Sequence, residues 1–91
     1  GKAVPELCEV VEECKELLKT SFMSFIKNDA ELAELTIEEF DKIIEKENEL
    51  YEWVVTHSLE EALILKTIID SLMRIAGYST DIAEVVINMS V

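Results

Sequence analysis

One proline, two glycines and one histidine in 91 residues leave this chain short of turn formers and of general bases. So few helix breakers, beside many Leu, Ile, Ala, Glu and Lys, point to long helices. The single histidine, His57, falls in a turn, where it reads as a solvated or capping residue. No glycine-rich phosphate loop and no Glu-x-x-His pair occurs, and neither cysteine has a neighbour that would activate it, so no enzyme is expected. Bases are scarce as well. Eight Lys and Arg stand against twenty Asp and Glu, a formal net charge of −12. That field repels nucleic acid and anionic membrane surfaces and favours cations or basic protein surfaces. No apolar run approaches 18 residues, so no membrane insertion is expected, and no signal peptide is read in the chain. Disorder is excluded by the 49% hydrophobic content.

Only two cysteines are present, Cys8 and Cys14, and there is no CxxC. Six residues apart on a helix, they lie roughly 240° apart around its axis and cannot bridge each other. Free thiols lead to the expectation of a reducing, cytoplasmic setting. Gly1 and Lys2 read as a cloning remnant, and the whole as a segment of a longer chain. The length suits one small domain with a single core.

Three helical segments are expected, over about 5–27, 29–55 and 58–90. Pro5 suits a first helical turn. Leu7, Val11, Cys14, Leu18, Phe22 and Phe25 repeat at threes and fours, with Val10 and Leu17 widening the stripe. Asn28 or Asp29 can cap the second segment. Its stripe is Ala33, Ile37, Phe40, Ile44, Tyr51 and Val54, with Glu47 at the missing step. Ser58 and Glu61 form a capping box for the third. There Leu65, Ile68, Leu72, Ile75, Ser79, Ile82, Val86 and Met89 alternate three and four, broadened by Ala62, Ile69, Ala76 and Ala83. Short links make neighbouring helices antiparallel. The expected fold is all-α, an up-down-up antiparallel three-helix bundle of spectrin-like layout. At 1.5 Å per residue the first helix spans roughly 35 Å and the third roughly 50 Å, so an overhang needs a cover. A partner subunit, pairing into a six-helix dimer, or a missing second domain would supply one.

Four polar features carry alternative readings. Asp70, Arg74, Gly77, Asp81, Glu84 and Asn88 form a line roughly opposite the third helix's apolar stripe. It is either a solvated face, helped by Asp70 with Arg74, or a carboxylate row for cations or a partner. Gly77 costs about 1 kcal/mol against Ala in mid-helix, a cost rewarded only if a backbone or ligand approaches. Glu47 is either a snorkelling or inter-helix-bonded residue near a wet seam, or a ligand or specificity device within the bundle. Trp53, with Leu50 partway towards it and Met23 similarly off-stripe, is either core or an association surface. Arg74 and Tyr78 join Trp53 and Leu50 as candidate partner contacts.

The stretch "RIAGYSTDIAE" resembles the archaeal branch of the PhoU family, regulators of phosphate uptake. That family's third helix carries a pattern close to D-x-L-E-R-I-x-D-Y-x-x-N-I-A-E. Asp70, Leu72, Arg74, Ile75, Tyr78, Ile82, Ala83 and Glu84 match it. "NDAELA" at 28–33 is similar to the family's D-x-x-L-A opening of the second helix. The resemblance covers nearly the whole chain. It implies a three-helix domain, completed by a homodimer or a second PhoU repeat. It also implies regulation by binding protein partners, the phosphate transporter or its signalling machinery. Some members bind iron or zinc through an acid-x-x-x-Asp pair on the third helix. Those positions are Met73 and Gly77 here, and the family's usual Asn is Asp81, which leaves Asp70, Asp81 and Glu84 as the candidate Fe or Zn donors. Three functions are therefore weighed: a regulatory protein-binding domain, a metal-binding module on the acidic row, and a purely structural dimerisation bundle.

Overall fold

A computed structural model describes residues 3–90; Gly1, Lys2 and Val91 lie outside the described residues. Three α-helices follow in order: α1 (Ala3–Lys27), α2 (Ala30–Val54) and α3 (Leu59–Met89). Every pair of helices is in contact, and the described residues form an all-α up-down-up bundle with extents of 49 × 18 × 17 Å. The expected helices are present, with α1 reaching back to Ala3. At 25 residues against 31 for α3, α1 falls short by only a turn and a half, so the expected overhang largely disappears.

The α1–α2 link is two residues long, and its chemistry explains that economy. Asn28 adopts φ 51°, the left-handed conformation that asparagine tolerates. Its N–H bonds back to the Phe25 carbonyl at 3.2 Å and the Asp29 N–H to that of Ser24 at 2.8 Å, closing α1. Asp29 then caps α2, accepting from the N–H groups of Glu31 and Leu32 at 3.0 and 3.2 Å. Ser58 caps α3 in the same way through the Glu61 N–H.

The core has two parts. Val10, Cys14, Leu17, Ile43, Leu50, Val54, Ile69, Leu72 and Ala76 form the larger one. Ala33, Ala83 and Val86 form the smaller, near the α1–α2 link. Buried hydroxyls lie along this half of the bundle: Ser21, Ser24, Thr36, Ser79 and Thr80, each bonded back to a carbonyl three or four residues earlier. These small side chains let the helices approach closely, and they displace larger neighbours. Val11, Phe22 and Phe25 were expected in the α1 stripe and are instead exposed. Likewise Ile68 and Met89 are exposed on α3, while Ile69, Ala76 and Ala83, expected only to broaden its stripe, are fully buried.

Candidate partner interface

The rotation of α1 and α3 determines what remains uncovered. On α1, Lys46 of α2 draws in Glu9 at 3.0 Å and Glu13 at closer range, so the acidic flank of α1 meets α2. On α3, Tyr51 of α2 bonds to Asp70 and Met73, so that flank meets α2 as well. The opposite flanks of α1 and α3 therefore border the α1–α3 seam. The Cys14 thiol sets the register of that seam, 3.7 Å from the Leu72 carbonyl. With both helices running the same way, Phe22 and Phe25 stand about level with Thr80 and Ala83.

Both flanks are apolar and exposed. On α1 the series is Val4, Val11, Leu18, Phe22 and Phe25, with Ile26 beside it. On α3 it is Ile64, Ile68, Ile75, Tyr78, Ile82, Val85 and Met89, again at threes and fours. Phe25 is 54% exposed, Ile26 71%, Tyr78 60% and Val85 52%, too much large apolar surface in one place to be incidental. Although the chain has twenty acids, none interrupts either series. Lys15 and Ser71 fill the steps between the apolar residues. The surface is thus wide and apolar on an otherwise acidic protein, with Asp81 at its edge beside Tyr78 and Val85.

The residues expected in the interface divide. Tyr78 belongs to this face, and Arg74 is exposed next to it, donating to the Ser71 hydroxyl at 3.1 Å. Leu50 is corrected: at 1% exposure it is core, because α2 turns it between α1 and α3. Trp53 is half-buried against that same core, and the His57 ring meets its edge at 4.5 Å, so the helix turn covers part of the indole. Phe22, Phe25, Ile26, Val85 and Met89 were not singled out as partner contacts. Phe22, Phe25 and Met89 stood in the stripes expected to be core, so the available signal was only that the apolar arc of each helix is wider than one buried stripe.

The acidic line of α3 points outwards: Asp81 and Glu84 are exposed, and Asp70 is half-buried. Asp70 is already engaged, by Lys66 at 2.7 Å and by the Tyr51 hydroxyl. Lys66 first, then Tyr51, holds its carboxyl below the usual range. Among the described residues no three His, Cys, Asp or Glu side chains converge as metal ligands would, so Asp70, Asp81 and Glu84 do not form a shared donor set. Gly77 has open space where a side chain would begin, with nothing within 4 Å. Among the described residues no helix is long and apolar enough to cross a membrane.

Comparison with known proteins places a family model described as the PhoU domain on residues 7–86, spanning nearly all of the three helices. Neither the curated proteins nor the solved structures gave a match.

Proposed function

This chain belongs to the PhoU domain family, and from that premise we propose that it is a regulatory domain of phosphate uptake that works by binding proteins. The family is regulatory and non-enzymatic. The observation that carries the reading further is the exposed apolar face along the α1–α3 seam. Its occupant in this proposal is a second three-helix unit, either another copy of this chain or a tandem repeat. Phe22 and Phe25 are each about half exposed, so covering them with their α3 neighbours would remove a contiguous apolar surface from water, the term that drives pairing. The paired unit then presents its acidic outer surface to the phosphate transporter or its signalling proteins, where basic surfaces meet it favourably.

Sedimentation velocity over a range of concentrations tests the pairing, with the double variant Phe25→Glu, Val85→Glu as control. The expected result is concentration-dependent dimerisation that the variant abolishes while its helix content is kept. A wild-type chain that stays monomeric throughout would overturn the assignment of the face to a second copy. A phosphate-responsive reporter in cells tests the regulatory reading. If pairing is intact but the reporter ignores deletion of the domain, the chain is a structural dimerisation bundle instead.

A further inference from the structure

Glu47 is the one fully buried carboxylic acid among the described residues, at 0% exposure in the middle of the larger core. Its Oε1 lies 3.8 Å from the Cys14 Sγ, and its Oε2 has no hydrogen-bond partner. The groups around it can be counted. From α1 comes the Cys14 thiol, with Glu13 beyond it bearing on the same sulfur. From α3 come the Leu72 carbonyl, 3.7 Å from the Cys14 sulfur, and Asp70, reached through Tyr51. On α2 itself, Lys46 turns outwards to Glu9 and Glu13, and Tyr51 stays a neutral phenol, pushed up to about 12 by burial and then by Asp70. Among the described residues no cation pairs with Glu47.

Proton counting decides its state. Cys14 has one S–H, and two acceptors lie near it, the Leu72 carbonyl and Glu47. A protonated Glu47 can donate its Oε1–H to the sulfur while the thiol donates to the Leu72 carbonyl, so that only a neutral carbonyl oxygen, Oε2, is left without a partner. An ionised Glu47 would instead hold a buried charge on one weak S–H donor with its second, now charged, oxygen orphaned, which burial disfavours far more than an orphaned neutral carbonyl.

We propose that Glu47 is a proton-dependent latch: α1 docks on the α2–α3 hairpin with the Glu47 carboxyl neutral, and losing that proton loosens α1. Burial pushes the Glu47 carboxyl up to about 7, outweighing a smaller downward pull from the Cys14 contact. An unfolded glutamate titrates near ~4.3. Between those values the folded chain holds a proton that the unfolded chain has released, so stability falls as pH rises. The contribution is full below the unfolded value and gone above the folded one. Because α1 carries half of the apolar face, the latch places pairing under pH control, but it exists in the single chain and does not depend on pairing.

Two measurements test it in the pairing-deficient Phe25→Glu, Val85→Glu background. Urea unfolding from pH 5 to 8 compares Glu47 with Glu47→Gln, which mimics the neutral acid. The expected folding constant of the Glu47 chain falls by up to about tenfold per pH unit relative to the Gln chain through this window. Parallel pH dependences would overturn the latch. Should Glu47→Gln not fold, the side-chain carboxyl carbon of Glu47, followed by NMR in the Glu47 chain, decides alone. A midpoint near neutrality supports the proposal, and one in the ordinary carboxylate range ends it.

Discussion

Lys66 Nζ lies 2.7 Å from Asp70 Oδ2, one turn along α3, while the Tyr51 hydroxyl of α2 donates to the other oxygen of the same carboxylate. A residue of the outward acidic row thus fastens two helices together. Tyr51→Phe removes one donor and is expected to cost about 1 kcal/mol of stability. The same change should raise the Asp70 titration midpoint towards the ordinary carboxylate range, since only Lys66, with a smaller pull from Arg74, then holds it down. The sign follows from a depressed folded pKa. The stabilisation is present above the unfolded value of Asp, ~3.9, and is lost as pH falls through the lower folded one. Urea unfolding and carboxyl NMR of the variant check both parts; an unmoved midpoint would show that the tyrosine contributes nothing.

Gly77 lies in α3 without a left-handed φ and with nothing within 4 Å of the place a Cβ would occupy. Its conformational freedom therefore has no use within the single chain. Gly77→Ala is expected to stabilise by about 1 kcal/mol, a rise in Tm of about 4–8 °C for a domain of this size. Thermal melts at low concentration are the test. If the variant gains stability as a monomer but pairs less well, another backbone packs over Gly77 in the assembly.

How far the sequence could be read follows from the same geometry. Helix positions were legible because caps and breakers are local: Asp29, Ser58 and the left-handed Asn28 act within a few residues of themselves. Glu47 was also legible as a carboxylate on a buried line, since three-and-four spacing fixes its azimuth. What stayed hidden was the rotation of each helix within its apolar arc. On α1 the apolar arc is wider than two neighbouring helices can cover. Either Phe22 and Phe25 or Ser21 and Ser24 could face inwards, and hydrophobicity alone favours the phenylalanines. The close approach allowed by Ala33, Ala76 and Ala83 leaves room only for the serines. That choice is made between helices, so no single-helix pattern contains it. The partner face was missed for the same reason, because it is the half of the arc that the rotation leaves outside.

Leu50 and Phe25 make the rotation measurable. Leu50 is buried and Phe25 is 54% exposed, although both are large apolar residues. Leu50→Ala should cost about 2–5 kcal/mol, the range for emptying a packed core site. Phe25→Ser should cost less than 1 kcal/mol in the monomer, as surface changes do. Chemical denaturation at a concentration below pairing gives both values. A large loss from Phe25→Ser would mean that the phenylalanine, not Ser24, turns inwards.

The two thiols report on α1 from opposite sides. Cys8 is exposed and Cys14 is buried. Burial, then the charge of Glu47, pushes the Cys14 thiol up to about 12, so almost no thiolate exists at neutral pH while α1 is docked. A disulfide-exchange reagent should therefore titrate one thiol promptly in the native chain and two in denaturant. With Cys8→Ser in place, the slow reaction of Cys14 measures how often α1 leaves the hairpin. Raising the pH from 6 to 8 increases the thiolate fraction of any exposed cysteine, and that factor is known from the unfolded chain. Any acceleration beyond it measures opening that follows ionisation of Glu47. In a Cys8→Ser, Glu47→Gln chain the excess should vanish, and equal excess in both chains would separate the opening of α1 from the buried carboxyl.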